Sequence, residues 1–304
     1  MRIEKKGKVW TVIHSRAEAR NAMDPESADA LVSAFQEFDG DPNAAVAVLW
    51  GEGGAFCAGW DLKYCATMVK DAKQLHEIDY PLDDRKAAST SQFPRGPLGP
   101  TRLELDKPVI AAVAGPAVAG GFELALWCDL RVMEQSAYFG VYCRRWGVPL
   151  IDGGTVRLPR IVGMGRALEI ILTGRKVAAD EALRIGACEH VVPEGKSREF
   201  AEAMAHEIAR FPQACVRADR RSAYMQQGLP LREAMRKEWY NGFPAFEADG
   251  AAGAARFASG KGRHGARSDP HRPQGDRAGM PPHRPVRARG AGWREPRCGR
   301  GAGA

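Results

Sequence analysis

One continuous run constrains the fold more than any other part of the chain: residues 108–133, PVIAAVAGPAVAGGFELALWCDLRVM. Residues 109–113 are uniformly apolar, which predicts a strand that is covered on both faces. Gly120 and Gly121 then precede a mainly apolar segment at 122–127, which predicts a helix that begins at the two glycines. A buried strand that leads through a glycine turn into a helix is typical of an α/β fold.

The start of this helix is the first candidate for chemistry. The first N–H groups of a helix lack intrahelical acceptors, and the helix dipole favours negative charge beside them. An oxyanion hole needs donors of this kind. Glu123 would lie one turn into the helix as a positioned acid or base. The alternative is that the glycines form only a tight turn and Glu123 is a capping-box carboxylate that returns to a backbone N–H.

Two segments resemble motifs of one known family. Residues 110–130, which include the run 119–121 and end in Cys128-Asp129-Leu130, resemble the defining motif of the crotonase, or enoyl-CoA hydratase/isomerase, superfamily. FCAGWDL at 56–62 resembles the A-G-x-D-[LI] segment of the same superfamily. The resemblance covers roughly residues 3–265. It implies an α/β fold, a crotonase-like spiral of strand-strand-helix repeats with a C-terminal helical region.

The same resemblance implies an enzyme that acts on an acyl-CoA thioester through an enolate, with no cofactor beyond the coenzyme A of its substrate. The backbone N–H groups of Ala58 and Gly120 would form the oxyanion hole, and Glu123 would move protons. Hydration of an enoyl-CoA is the leading reaction. The implied contacts to substrate and coenzyme A are Arg20, Ala22, Ala58, Gly59, Trp60, Asp61, Leu62, Gly120 and Lys261.

The chain departs from the hydratases that it resembles after the F-G pair at 139–140. Those enzymes carry a second glutamate four residues after the phenylalanine, where this chain has Cys143. Hydration is usually explained with two carboxylates, so double-bond isomerisation or thioester-linked C–C hydrolysis stays open. Asp152, three residues before Thr155, matches an aspartate that dienoyl-CoA isomerases use as an acid or base. The alternative for Asp152 is a turn or helix cap before residues 153–154.

Cys143 is itself a further catalytic candidate, as a nucleophile activated by Arg144 and Arg145. No histidine lies nearby in the sequence to serve as its base, and such arginines are more typical of surface or interface ion pairs. A non-enzymatic interpretation is a CoA-binding scaffold that has lost turnover. The loss of the second glutamate favours a scaffold, whereas the intact Glu123 opposes it.

The formal net charge of +7 is concentrated at the C-terminal end. Residues 266–304 carry nine arginines against three acidic residues, a net +6, which leaves +1 for residues 1–265. Their many prolines and glycines and few apolar residues predict a disordered tail. An RNA-binding role through this tail is a further alternative, but Trp293 is its one aromatic residue for stacking. Nucleic-acid binding is therefore expected to be weak.

Helical periodicity predicts further elements. Asp24 can cap a helix whose first residue is Pro25, and its apolar face would hold Ala28, Leu31, Val32, Phe35 and Phe38. Three C-terminal helices are predicted at 199–211, 215–226 and 231–239. We divide the chain into an acyl-CoA-binding core at 1–195, a helical oligomerisation region at 196–265 and a basic tail at 266–304. The resemblance implies that the C-terminal helices assemble a homotrimer or a dimer of trimers.

Cysteine and histidine spacing predicts no metal and no disulfide framework. The seven cysteines include no C-x-x-C pair, and the seven histidines show no metal-ligand spacing. No apolar run approaches the length of a membrane span, and residues 1–10 lack the apolar region of a secretory signal. We expect a cytoplasmic protein without a membrane partner.

Overall fold

A six-stranded sheet and a three-stranded sheet organise the chain, in a computed structural model that describes residues 1–68 and 96–260. The predictions for Lys261 and for the tail at 266–304 lie outside these residues. The large sheet has the order β1-β2-β3-β4-β6-β9 and the small sheet the order β5-β7-β8. The strands are β1 (Arg2–Lys6), β2 (Val9–His14), β3 (Val46–Gly51), β4 (Val109–Val113), β5 (Pro116–Val118), β6 (Leu130–Glu134), β7 (Tyr138–Gly140), β8 (Lys176–Ala178) and β9 (His190–Val192).

Strands β2, β3, β4, β6 and β9 run parallel, and β1 joins β2 as an antiparallel edge. Parallel neighbours need crossover connections, and these connections include the helices that cover the sheet. The helices are α1 (Pro25–Gly40), α2 (Leu62–Met68), α3 (Gly120–Trp127), α4 (Gly154–Val162), α5 (Met164–Thr173), α6 (Ala179–Ile185), α7 (Ser197–Ile208), α8 (Gln213–Met225), α9 (Leu231–Ala245) and α10 (Ala251–Ala258). Within residues 1–68 and 96–260, no helix is long and apolar enough to cross a membrane.

Strand β4 is buried on both faces, as the apolar run at 109–113 predicted. Successive residues of a strand point to opposite faces, so β4 contributes to two separate clusters. Ala111 and Val113 pack with residues of α1 and α3 in one apolar cluster. Ile110 and Ala112 pack in a second cluster with α7, which supplies Ala201, Ala205 and, just beyond its end, Ala209. Helix α7, the first helix after the predicted core boundary at residue 195, thus packs against the sheet.

Helix α1 confirms the prediction made from its start signal and periodicity. The Asp24 carboxylate accepts a hydrogen bond from the Ser27 N–H at 2.9 Å, and Pro25 is the first helical residue. The cap satisfies one of the N–H groups that a helix start leaves without an acceptor. The buried residues of the helix are Ala28, Leu31, Ala34, Phe35 and Phe38, while Val32 is partly buried.

Helix α9 is longer than the predicted segment at 231–239. It continues through Pro244 to Ala245, and a wider π turn at Phe246–Gly250 leads into α10. A proline inside a helix lacks the N–H that would bond four residues back and displaces that turn, so a local widening can absorb it. The prediction stopped too early because the sequence shows where helical bonding is weakened, but not whether packing carries the helix onward.

Candidate active site

The turn between β5 and α3 holds an unusual backbone conformation. Ala119 is the N-cap of α3, with φ 54° and ψ −126°, and its N–H donates to the Gly140 carbonyl at 2.7 Å. A positive φ is uncommon in a residue with a side chain, and it is found where surrounding contacts enforce it. Helix α3 begins at Gly120, as predicted. Across the part of the chain that the structure describes, the Gly120 N–H meets no hydrogen-bond acceptor.

Gly120 and Gly121 are required by packing. A Cβ at Gly120 would collide with the Leu98 side chain, and a Cβ at Gly121 would collide with the Cys57 carbonyl oxygen. They let the start of α3 lie directly against two neighbouring segments. One of these segments, at 56–62, carries the second motif.

The structure corrects the assignment of Ala58 to the oxyanion hole. The Ala58 N–H already donates to the Arg20 carbonyl at 3.1 Å, so this donor is occupied. Trp60 pairs with Met23 in a parallel bridge. The two hydrogen bonds of this bridge use the residues on either side of Trp60: the Met23 N–H donates to the Gly59 carbonyl, and the Asp61 N–H donates to the Met23 carbonyl, each at 2.8 Å. The N–H of Trp60 therefore faces away from Met23, and it has no acceptor among the described residues.

The 56–62 segment also lies against the start of α3. A Cβ built on Gly59 would be 2.9 Å from the Gly120 nitrogen and 2.9 Å from the Ala119 Cβ. Trp60 and Gly120 both line the same cavity. Two backbone donors without acceptors thus lie in neighbouring segments at one cavity wall.

Asn21 explains why the Arg20 carbonyl faces Ala58, and we did not predict its role. Arg20 and Asn21 both have positive φ, 52° and 56°. The fully buried Asn21 amide donates to the carbonyls of Glu52 and Ala55 at 2.8 and 2.7 Å, and its oxygen accepts from the Arg16 N–H at 2.7 Å. The tolerance of asparagine for this conformation was the available signal.

Glu123 is buried, with 3% of its surface exposed. Its Oε1 accepts hydrogen bonds from the Asp152 N–H at 2.9 Å and the Gly154 N–H at 2.8 Å. The N–H of the N-cap residue Ala119 donates to the Gly140 carbonyl and not to Glu123, so the capping-box alternative for Glu123 is wrong. Burial, followed by the nearby charge of Asp152, raises the pKa of Glu123 to about 8.

Asp152 is 2% exposed, and its carboxylate is held by an adjoining segment. Oδ1 accepts from the Thr101 hydroxyl at 2.5 Å and from the Leu98 N–H at 3.2 Å. The N-cap of α4 is Gly153, with no side-chain hydrogen bond, so Asp152 does not cap this helix. Burial raises the pKa of Asp152, and the Thr101 hydrogen bond opposes that rise.

Each carboxyl group therefore has one tethered oxygen. Within the described residues, the second carboxyl oxygens of Glu123 and Asp152 make no hydrogen bond. Neither oxygen is fully buried, because neither is among the buried side-chain atoms that lack a hydrogen-bond partner. Both residues line the cavity. The two free oxygens are thus open to the same cavity, where each can accept or donate a proton.

Arg157 holds the backbone of both partners in the hydrogen bond between Thr101 and Asp152. Its guanidinium donates to the Asp152 carbonyl at 2.9 Å and to the Thr101 carbonyl at 2.7 Å. Thr101 belongs to a short 3₁₀ helix at Pro100–Arg102, far from Arg157 in the sequence. No spacing rule connects these residues, so neither was predicted from the sequence.

Cys143 lies at the cavity, but its surroundings do not activate a thiolate. Burial is the main cause that raises the pKa of this thiol, and the charge of Glu123 adds to it. The guanidinium of Arg145 instead stacks on the Tyr142 ring at 3.8 Å, and Arg144 donates to the Ile171 carbonyl at 3.3 Å. The hypothesis of a nucleophilic cysteine receives no support from this geometry.

A cavity of about 570 Å³ unites most of the predicted site residues. The predicted residues that line it are Arg20, Ala22, Ala58, Trp60, Asp61, Leu62, Gly120, Glu123, Cys143 and Asp152, whereas Gly59 does not. Apolar wall is added by Leu98, Val118, Val148, Pro149 and Ile151. Across residues 1–68 and 96–260, no three His, Cys, Asp or Glu side chains are grouped so that they could hold a metal ion.

Asp61 lines the cavity, but its carboxylate accepts hydrogen bonds from other protein groups. Oδ2 accepts from Arg16 at 2.7 Å, and Oδ1 accepts from the N–H groups of Lys63 and Tyr64 at 2.9 and 3.4 Å. These bonds cap the start of α2 and join it to the loop that carries Arg16. The carboxylate of Asp61 is therefore occupied by protein partners.

Comparisons with known proteins agree with this arrangement. Residues 4–241 match the family model described as enoyl-CoA hydratase/isomerase. An enoyl-CoA hydratase of Mycobacterium tuberculosis is 34% identical over 256 residues, which cover 82% of this chain and 89% of that protein. A carnitinyl-CoA dehydratase of Salmonella typhimurium is 32% identical over 238 residues, which cover 78% of this chain and 84% of that protein.

Solved structures give the same result. An enoyl-CoA hydratase from Mycobacterium marinum superposes with a TM-score of 0.74 at 30% identity, covering 86% of this chain and 96% of that one. An enoyl-CoA hydratase from Bacillus anthracis has a TM-score of 0.74 at 29% identity, covering 87% and 98%. The predicted crotonase-like α/β fold with a C-terminal helical region is confirmed. The chain therefore belongs to the enoyl-CoA hydratase/isomerase family.

Proposed function

We propose that the protein hydrates the double bond of an enoyl-CoA thioester. The observation that carries this proposal is the pair of buried carboxyl groups, Glu123 and Asp152, each with one tethered oxygen and one oxygen open to the cavity. Addition of water needs one group that removes a proton from water and another that supplies a proton to carbon. Asp152 thus takes the role of the second glutamate, whose position is occupied by Cys143 in this chain.

The oxyanion hole in this proposal consists of the N–H groups of Gly120 and Trp60. Both lack acceptors in the described chain, and both line the cavity. The Gly120 donor also stands at the start of α3, where the helix dipole favours negative charge. Donors aimed at the thioester oxygen stabilise the enolate that forms when water attacks the double bond, each contributing roughly 3 kcal/mol in related chemistry.

The protonation states of Glu123 and Asp152 follow from the surroundings of each carboxyl group. Burial and the charge of Asp152 raise the pKa of Glu123 to about 8, so Glu123 holds a proton at neutral pH. Burial raises the pKa of Asp152, while the two donors on its Oδ1 favour the charged form that the proposed reaction uses. Asp152 then takes a proton from water as the oxygen bonds to the β-carbon, electrons move onto the thioester oxygen, and Glu123 returns a proton to the α-carbon.

The named relatives support this direction. They include enoyl-CoA hydratases and a carnitinyl-CoA dehydratase, whose name describes removal of water from a CoA thioester. Carboxyl groups and backbone donors complete the proposed chemistry, so the coenzyme A of the substrate is the only cofactor it requires. The cavity-lining contacts proposed for the thioester and its coenzyme A are Arg20, Ala22, Trp60, Leu62 and Gly120.

Double-bond isomerisation is the second candidate. It is favoured by the position of Asp152, which matches the aspartate of dienoyl-CoA isomerases, together with Cys143 in place of the second glutamate. Two carboxyl groups that exchange one proton can remove a proton at one carbon and replace it at another. The two reactions differ in product mass.

Ligand binding and product mass together separate these functions. We expect binding of crotonyl-CoA by calorimetry, and we expect its product to be heavier by one water with the thioester intact. Unchanged mass with a shifted double bond in longer enoyl-CoA substrates would establish the isomerase, and cleavage would establish a hydrolase. Binding without turnover of any enoyl-CoA would identify a scaffold. Absence of binding by every acyl-CoA at millimolar concentration would contradict all of these functions.

We also propose a homotrimer or a dimer of trimers, supported by two exposed apolar stripes. Helix α5 exposes Met164, Leu168 and Leu172 at intervals of four residues, and the region of α9 exposes Met235, Trp239, Phe243 and Phe246. Apolar side chains repeated on one helix face are usually covered by a partner. Sedimentation of the full chain should give the mass of three or six copies, and a monomer at micromolar concentration would contradict this assembly. The cytoplasmic location stays a prediction.

A further inference from the structure

We propose that Thr101 is a positioning residue for the reaction: its hydroxyl holds one oxygen of Asp152 so that the other oxygen faces the cavity as a charged proton acceptor. This inference rests on the proposed function, because it assigns the carboxylate that accepts the proton. Thr101 is 1% exposed and does not line the cavity, so its influence on the substrate passes through Asp152. The hydrogen bond between them measures 2.5 Å.

The local fold closes tightly around this hydrogen bond. Gly96 and Gly99 exchange backbone hydrogen bonds at 3.3 and 2.9 Å, which forms a narrow loop before Thr101. A Cβ at Gly96 would collide with Asp152 Oδ1 and would lie 2.6 Å from the Thr101 hydroxyl oxygen. Little space remains beside the bond for another donor. If the hydroxyl is removed, the adjacent packing leaves no ready replacement.

Arg157 supplies an independent constraint on the same two residues. It donates to the carbonyls of Asp152 and Thr101, so the two backbones are held even when the hydroxyl is absent. Loss of the hydroxyl should thus change the orientation and the charge balance of the Asp152 carboxylate more than the backbone positions of the two residues. A conservative substitution of Thr101 can therefore separate electrostatic positioning from support of the fold.

Several titratable groups act on Asp152 together with Thr101. Glu123 faces it from α3, Arg157 from α4, Arg102 from the 3₁₀ helix, and the Cys57 thiol lies close enough to feel its charge. The Thr101 hydroxyl, the Leu98 N–H and the two arginines favour the carboxylate, whereas burial disfavours it. Thr101 is the member of this group that can lose its hydrogen bond without any change in formal charge.

The test compares Thr101→Val with Thr101→Ser. The valine variant keeps the shape and removes the donor, so the acidic limb of the pH profile of kcat/KM should move upward by roughly one pH unit or more, with a smaller kcat at neutral pH. The serine variant should restore most of both. In an Asp152→Asn background, Thr101→Val should cause little further loss, because the carboxylate through which it acts is absent.

A matched control is Thr11, another buried threonine whose hydroxyl donates to a carboxylate, Glu202, at 2.9 Å. Thr11→Val should leave the pH profile unchanged. If Thr101→Val does not fold, Thr101→Ala offers a smaller side chain that also lacks the donor. An unchanged acidic limb in a folded Thr101 variant without a hydroxyl would overturn the proposal.

A measurement without substrate keeps this result separate from the proposed function. Carboxyl ¹³C NMR of the full-length protein can follow the titration of Asp152, with its signal assigned by loss in Asp152→Asn. The titration midpoint should rise in Thr101→Val and return in Thr101→Ser. If wild type turns over no thioester, the proposed function fails, but this midpoint still decides the role of Thr101. Equal midpoints in wild type and Thr101→Val would refute it.

Discussion

Glu123→Gln should lower kcat by roughly a hundredfold or more while thioester binding stays close to that of wild type. The glutamine oxygen can still accept the N–H groups of Asp152 and Gly154, so the local structure should persist. The group that is lost is the oxygen open to the cavity, which in the proposed reaction carries the proton for the α-carbon. Steady-state kinetics with crotonyl-CoA, together with calorimetry, would measure the two quantities separately.

The pH profile provides a second reading of this variant. In the proposed reaction Glu123 acts as an acid, and its pKa is raised to about 8, so kcat/KM of wild type should fall as the pH rises through that region. In Glu123→Gln this alkaline limb should disappear. Glu134 is a suitable control because it is also buried and does not line the cavity. Its carboxylate accepts a hydrogen bond from the Ser197 hydroxyl. Glu134→Gln should leave kcat nearly unchanged; an equal loss there would indicate a general effect of altering a buried glutamate.

Asp152→Asn should also lower kcat by about a hundredfold, because it removes the proposed acceptor of the water proton. Asparagine keeps an oxygen for the donors Thr101 and Leu98, so the segment should stay folded. Cys143 occupies the position of the missing glutamate, and Cys143→Ser should leave kcat near that of wild type. Kinetics of the two variants under identical conditions would compare them directly.

The opposite pattern would reverse the assignment. A silent Asp152→Asn together with an inactive Cys143→Ser would identify the thiol as the reacting group. A large loss in both variants would indicate that the thiol contributes to the geometry of the carboxyl pair. Melting temperatures of both proteins should accompany the kinetics, because a destabilised variant lowers kcat by loss of folded enzyme.

The sequence predicted those features that depend on neighbouring residues. The glycine start of α3, the cap of α1 and the doubly buried strand β4 each follow from local conformational preferences and apolar periodicity. The resemblance to a family added the fold and the candidate pair of Glu123 and Asp152. It could not choose between a catalytic and a capping role for either residue, since that choice depends on which N–H groups reach each carboxylate.

The mistaken part of the site depends on contacts between distant segments. Whether Ala58 or Trp60 offers a free N–H is decided by the positive φ of Arg20 and by the pairing of Trp60 with Met23. Thr101 comes to Asp152 from 51 positions earlier in the chain. Such pairings leave no periodic signal in one sequence, so the supporting residues of the carboxyl pair became visible only in three dimensions.

The positive φ of Ala119 has a consequence for how the enzyme would meet its substrate. A backbone conformation of this kind costs on the order of 1–3 kcal/mol, so the neighbouring structure must impose it even when the cavity is empty. The hydrogen bond to Gly140 on one side and the helix on the other leave the turn no easy way to relax. The Gly120 dipole is thus oriented before the thioester arrives. Stabilising the enolate then requires little reorganisation of the protein, and the energetic cost of that orientation is met during folding and not in each catalytic cycle.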